Sequence, residues 1–281
     1  MIFGDYKLEI VPDTEFRLDG GAMFGVIPRV LWEKVAPPDD KNRIRVHTHC
    51  LFIETANERI LIETGMGEKW NAKQTDIYGV FREKPFAQTL VETTGYAPEQ
   101  ISIVVNTHLH FDHASGNTKF DANGNIVANF PNARYFVSQS EFEHATNPTM
   151  RDKASYMPEN WRAIAENGQL ELKPNDYEIV KNLTMQTVRG HNATMQTVML
   201  KQGEQTFYSF SDLIPTTNHI SPAWLMGYDL YPVETLANKQ KLVPQAVKEN
   251  WLCWFYHDFD KPLCRLIEDN GKIRAVQVEN V

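Results

Sequence analysis

Residues Thr107-His108-Leu109-His110-Phe111-Asp112-His113 follow directly on Ile101-Ser102-Ile103-Val104-Val105-Asn106. The apolar, β-branched run predicts a buried strand, because Val and Ile suit a pleated surface. Where it ends, three imidazoles and a carboxylate fall within six positions. His108 and His110 are two apart, so an extended backbone turns both to one side. Asp112 and His113 are adjacent; they diverge and can serve a second centre. Two nitrogens aimed at one point, with an Asp/His pair at a neighbouring point, describe a dinuclear metal site. The small residues Ala114-Ser115-Gly116 allow a helix to start close against it. The bland alternative is a polar strand end with solvated histidines, and so dense a group of ligating side chains disfavours it.

His-x-His-x-Asp-His after a hydrophobic strand resembles the signature of the metallo-β-lactamase fold superfamily. The resemblance implies a fold of the α/β (α+β) class, an αββα sandwich with two β-sheets face to face and helices outside. The alternation of strand and helix patterns along the chain gives only a mixture of α and β. The motif fixes fold and metal chemistry better than it fixes substrate, since function lives in the site.

The chain has 281 residues, 42% of them hydrophobic, enough for a proper core. No linker rich in Pro, Gly or Ser divides it, which predicts a single domain over 1–281. No apolar run reaches eighteen residues, so no membrane span is expected. The start, Met1-Ile2-Phe3-Gly4-Asp5, has neither a basic n-region nor a cleavable apolar segment. A net charge of −8 argues against a nucleic-acid partner. Cys50, Cys253 and Cys264 are odd in number and scattered. They read as small buried hydrophobes in a reducing, cytoplasmic compartment. In that compartment the sequons at Asn182 and Asn192 are accidental. The partner expected is a small-molecule substrate; homodimerisation stays open.

Tyr6–Val11 alternates and reads as an outer strand, followed at 19–25 by a glycine-punctuated turn with exposed-looking apolar side chains. Residues 46–54 and 59–64 form a hairpin around Ala56-Asn57-Glu58. Helical spacing runs from Lys84 to Thr94 and stops near Gly95. Ala133–Val137 is a strand, and Ser138 caps a helix through His144 with Glu141 at the capping-box position. Residues 151–166 read as a further helix. Strands at 183–188 and 194–200 flank a turn holding His191; Thr-Met-Gln-Thr-Val occurs in both, too short and too few for a repeat architecture. Strands at 205–211, 251–256, 263–268 and 273–278 and a helix at 234–249, with Pro244 inside it, complete the reading.

A dinuclear site needs more ligands than the opening motif supplies. His191, Asp212 and His257 each stand alone directly after an apolar strand, and their order matches the superfamily's later ligands, so the resemblance spans roughly 46–258. Carried over by motif, it implies His108, His110 and His191 on one metal, Asp112, His113 and His257 on the other, and Asp212 bridging. Asn192-Ala193-Thr194 after His191 departs from the Pro and Gly often found there. His47-Thr48-His49 has the spacing of the motif pair, but no Asp-His follows, which favours a structural strand pair. His144 reads as solvated. For His219, structural and substrate roles balance. Two divalent ions are expected, zinc by default for imidazole and carboxylate donors, with manganese, cobalt or iron as alternatives. Redox-active di-iron members of the superfamily usually carry Glu at the second histidine of the motif. His110 therefore favours hydrolysis.

Two cations bracketing a water bring its pKa from ~16 toward neutrality, giving a bridging hydroxide that attacks a carbonyl or phosphoryl centre. Asp112 is the candidate to orient that nucleophile and then protonate the leaving group. Residues 212–224 and 227–232 resemble the loop after the bridging aspartate in the quorum-quenching lactonase branch, and 20–25 is similar to that branch too. Met23, Phe24, Trp224, Met226 and Tyr228, with His219, are the candidate substrate-binding residues around an acyl chain. Where some of these lactonases have a substrate-binding Tyr, this chain has Pro215; Thr216, His219 or Tyr228 are candidates to replace it. The leading expectation is an N-acyl-homoserine lactone lactonase. Phosphotriester or other ester hydrolysis on the same metals is the alternative, and a metal-stabilised binding domain is the third class, disfavoured by the open bridging position.

Overall fold

The structure, a computed structural model, describes residues 1–278. In chain order its strands are β1 (Ile2–Phe3), β2 (Tyr6–Asp19), β3 (Arg43–Glu54), β4 (Arg59–Ile62), β5 (Ile103–Val105), β6 (Thr118–Phe120), β7 (Ile126–Ala128), β8 (Arg134–Ser138) and β9 (Leu170–Lys173). They continue with β10 (Tyr177–Val180), β11 (Leu183–Thr187), β12 (Gln196–Gln202), β13 (Gln205–Ser209), β14 (Leu252–Trp254), β15 (Leu263–Asp269) and β16 (Lys272–Gln277). The helices are α1 (Gly20–Phe24), α2 (Arg29–Trp32), α3 (Ala72–Tyr78), α4 (Phe86–Thr94), α5 (Phe111–Ala114), α6 (Gln139–Thr146), α7 (Arg162–Glu166) and α8 (Pro232–Lys248). Two large sheets with helices result, ordered β1-β2-β3-β4-β5-β8-β9 and β10-β11-β12-β13-β14-β15-β16, beside a small β6-β7 hairpin. No helix among the described residues is long and apolar enough to cross a membrane.

The chain forms two compact units: Met1–Thr14 with Thr48–Asp176, and Glu15–His47 with the chain from Tyr177 onward. In the first, β4, β5, β8 and β9 run parallel, and β3-β4 is the expected hairpin. Ile103, Val104 and Val105 are buried at its centre, as continuous apolar strands of parallel sheets are. The core there gathers Val11, Phe52, Leu61, Leu90, Val104 and Ile164. Among the described residues of the second unit's β10–β16 sheet the pairs are antiparallel except β13-β14, which α8 connects as a crossover. Its core centres on Tyr208, Phe210, Val243, Trp251 and Phe255. Cys50, Cys253 and Cys264 are buried free thiols, the last two facing each other across β14 and β15.

Local signals explain most elements. Gly95, left-handed at φ 83°, ends α4, and the Ser138 side chain accepts from the Glu141 N–H at 3.1 Å to start α6. The duplicated pentapeptide lies in paired strands: Met185 faces Val198 and Gln186 faces Thr197. Two expectations are corrected. Residues 20–24 form α1, capped by Asp19, and Met23 and Phe24 are interior rather than exposed. Residues 151–166 do not form one helix: Pro158 opens a short 3-10 turn, and only 162–166 is α-helical.

The loop after β4 locks onto the motif loop. Thr64 N–H donates to His113 O at 2.9 Å and Gly116 N–H to Gly65 O at 3.3 Å. A Cβ on Gly116 would stand 2.0 Å from the Thr64 carbonyl oxygen, so only glycine allows this approach. Gly116→Ala is expected to cost about 1–3 kcal/mol, the scale of core overpacking. Urea unfolding checks it, and an unchanged midpoint would show that the contact is not tight.

Candidate metal centre

The candidate ligating residues of the first unit leave the carboxyl ends of parallel strands, the edge at which open α/β sheets collect ligands. In the first unit, β4 ends at Glu63 and β5 ends at the motif loop. Beyond β8, the buried Glu141 on α6 accepts from Leu109 N–H at 2.7 Å, holding that loop from the other side. His108, His110, Asp112 and His113 are all buried. The His108 ring lies 4.5 Å from His110 and 4.0 Å from His113, centroid to centroid, so the motif's imidazoles converge.

Glu63 organises them. It is buried and left-handed at φ 64°, a costly conformation for a residue with a Cβ. Its Oε1 accepts the Thr107 N–H at 3.2 Å and the Thr107 hydroxyl, and lies 3.2 Å from His113 Nδ1. With its proton given to Glu63, the Thr107 hydroxyl accepts from His108 Nδ1–H at 3.0 Å. That tautomer leaves the His108 Nε2 lone pair for a cation. The Asp112 carboxylate helps to raise the pKa of Tyr78, after the larger effect of burial. Tyr78 packs with Trp70 and Phe111 in an aromatic cluster, centroids 4.9 to 5.6 Å apart.

The second unit holds a matching arrangement around Asp212, which follows β13 after the left-handed Ser211 at φ 48°. One Asp212 oxygen lies 3.5 Å from His191 Nε2 and the other 3.4 Å from His257 Nε2. Each imidazole is fixed from behind. His191 Nδ1–H donates to the buried Asp229 at 3.3 Å, and His257 Nδ1–H donates to the His47 carbonyl at 2.9 Å. A carboxylate facing two imidazole Nε2 atoms, each ring engaged through its Nδ1, is a donor set suited to bridging divalent ions. The Asn192 side chain closes the His191 turn by accepting from Thr194 N–H at 2.9 Å and from Met195 N–H, replacing the Pro-Gly pattern.

The remaining histidines have structural partners. His47 contributes its backbone to His257, and His49 is a buried strand residue. His144, expected to be solvated, is instead 15% exposed and bonds Asp152 at 2.6 Å. His219 is buried and stacked on Phe24 at 4.8 Å; its Nε2–H donates to Met23 O at 2.9 Å, and its Nδ1 accepts from Thr216 at 2.8 Å. Trp224 meets Phe24 edge-on at 5.5 Å. Met226 is buried and Tyr228 is 40% exposed. The Pro215 carbonyl accepts His257 N–H at 3.1 Å. The sequence pointed to neither Glu63 nor Asp229: each acts on residues about forty positions away, and a lone acidic residue carries no local pattern.

Glu63→Gln keeps the shape but replaces an acceptor oxygen and removes the charge. Divalent-ion affinity, measured by competition with a chelator, is expected to fall about 10–100-fold, as for other groups behind ligands. Wild-type affinity would show that Glu63 does not hold the imidazoles. Burial pushes His219 from 6.5 down to about 4. Between those values the unfolded chain takes up a proton that the folded chain refuses, so acidification through this window destabilises the fold. His219→Gln can keep both hydrogen bonds without titrating, and its melting temperature is expected to fall less steeply than wild type from pH 6.5 to 4. Parallel slopes would remove His219 from the acid response.

The Metallo-beta-lactamase superfamily profile matches residues 43–129. An N-acyl homoserine lactonase of Bacillus cereus is 23% identical over 240 residues, covering 78% of this chain and 84% of that protein. The crystal structure of a probable metal-dependent hydrolase from Staphylococcus aureus is 30% identical with a TM-score of 0.89, covering all of both chains. AidC, described as a dizinc quorum-quenching lactonase solved with a product, shares the fold at a TM-score of 0.80 and 16% identity, covering 100% of this chain and 97% of that one. With the motif, the two sheets and the buried His/Asp clusters in place, the chain belongs to the metallo-β-lactamase superfamily.

Proposed function

We propose that this protein is a lactonase that opens N-acyl-homoserine lactones, with two divalent ions held by His108, His110, Asp112, His113, His191, Asp212 and His257. The observation that carries this reading is the Asp212 carboxylate, whose two oxygens face two imidazoles each fixed in the ligating tautomer. Similarity to a curated lactonase over most of its length supports the choice of substrate. Two such ions, zinc by the character of the donors, supply the Lewis acidity that acidifies a water and polarises a carbonyl oxygen.

The chain's residues do the rest. Asp112 orients the attacking water, takes its proton and returns it to the alkoxide released as the ring's acyl C–O bond breaks. The products are one carboxyl group, which gives the water's second proton to solvent as it ionises, and one hydroxyl on the same molecule. Glu63 and Asp229 keep His108, His113 and His191 in register through that proton movement. Trp224 and Met226 form an apolar wall for the acyl chain, with Met23, Phe24 and His219 packed behind it. Thr216 and His219 engage their polar atoms with each other and with Met23, which makes Tyr228 the candidate in place of a Tyr at Pro215.

Purified protein is expected to hold about two divalent ions per chain, and chelation is expected to abolish hydrolysis. Homoserine lactones with four-, eight- and twelve-carbon chains, assayed beside a phosphotriester, test the substrate. Each buried methylene adds up to ~0.8 kcal/mol. The gain is expected mainly in KM, because the tail is remote from the reacting carbonyl. Rapid phosphotriester turnover without lactone opening would overturn the lactonase reading, and fewer than two ions in fully active enzyme would overturn the dinuclear one.

A further inference from the structure

Lys239 stands on α8 with 1% of its surface exposed. Its ammonium donates to the carbonyls of Ser221 at 2.9 Å and Trp224 at 2.8 Å. These carbonyls lie in a segment without helix or strand, where backbone acceptors must find donors elsewhere. The Ser221 carbonyl also accepts Trp224 N–H at 3.0 Å, closing a turn. A buried ammonium is expensive to keep, so its retention calls for partners that need it. Burial pushes its pKa down to about 7, opposed by the nearby Asp229 carboxylate.

The other side of the same segment is clasped by 22–25. Gly227 N–H donates to Ala22 O at 2.7 Å, and Trp224 meets the Phe24 ring. Gly25, at φ 55°, passes so close that a Cβ there would stand 2.8 Å from Leu225 O. Residues 221–227 are therefore suspended between one ammonium and one short helix, with Trp224 and Met226 carried on the suspended stretch.

We propose that Lys239 is a specificity-determining positioning residue: by holding the Ser221 and Trp224 carbonyls it sets the place of Trp224 and Met226, and so the acyl-chain length that is accepted. This rests on the reading of that segment as the acyl-facing wall. Lys239 touches no reacting atom; it acts through the backbone it holds. Lys239→Met keeps the aliphatic stem and removes the ammonium, which takes a donor from each of the two carbonyls and frees the segment to rearrange. Gly25→Ala perturbs the same segment from the opposite side, without touching α8.

The test uses metal-loaded enzyme with four-, eight- and twelve-carbon lactones, and hydrogen exchange read on peptides spanning 221–227. In Lys239→Met and in Gly25→Ala, exchange in 221–227 is expected to accelerate while metal content stays at wild type. KM for the twelve-carbon substrate is expected to rise about tenfold more than KM for the four-carbon one, with the ratio of their kcat values unchanged. Lys239→Arg, which keeps charge and donors, is expected to recover part of the length preference. A wild-type length profile in Lys239→Met overturns the proposal, whatever Gly25→Ala shows and even if exchange accelerates. If Lys239→Met does not fold, Lys239→Gln takes its place and decides by the same criteria. If the wild type opens no lactone, the functional reading has failed on its own; unaltered exchange in 221–227 of Lys239→Met then overturns the positioning role, and accelerated exchange upholds it.

Discussion

An imidazole that is to bind a cation must keep one nitrogen bare, so its other nitrogen must deliver a proton to something that does not move. Three acceptors meet that requirement, and the chain supplies them by three routes. The Thr107 hydroxyl, itself anchored on Glu63, serves His108; Asp229 serves His191; and the His47 carbonyl serves His257. None of these acceptors is a ligand in the reading above, yet each decides which face its imidazole shows. Glu63 and Ser211 adopt left-handed backbone in the process. Such conformations persist only where the surroundings over-determine them.

In the second unit, α8 carries much of this organisation. Glu234 pairs with Arg189 at 3.0 Å, Asn238 donates to Arg189 O at 2.8 Å, and Thr235 packs on Gly190, so one stretch of the helix fixes the turn that presents His191. Lys239, one residue on, fixes the segment that carries Trp224. Val243 and Ala246 meanwhile bury the helix against the core. A single helix thus ties the orientation of His191 to the place of Trp224, some thirty residues further along the chain.

What could be read from the sequence was what local pattern encodes. The strand into the motif, the hairpin at 46–64, the end of a helix at Gly95 and its start at Ser138 follow from runs of residue types and caps. The two buried clusters hold residues picked out by their place after apolar strands. The turn expected at 19–25 failed because Gly20-Gly21 suggests flexibility; in fact Gly20 lets Trp32 close over α1, where a Cβ would stand 2.4 Å from the indole. The helix expected at 151–166 ignored Pro158. Glu63, Asp229 and Lys239 were missed for another reason: their partners are distant in sequence, and an isolated charged residue looks the same whether it is solvated or buried.

The three cysteines give the molecule a set of internal clocks. Cys50 belongs to the first unit, Cys253 and Cys264 to the second, and all three are fully buried. Burial raises each thiol's pKa, so little reactive thiolate exists in the folded state. An alkylating reagent therefore reacts only when the surrounding structure opens, and the order in which the sites are labelled separates opening of the first unit from opening of the second.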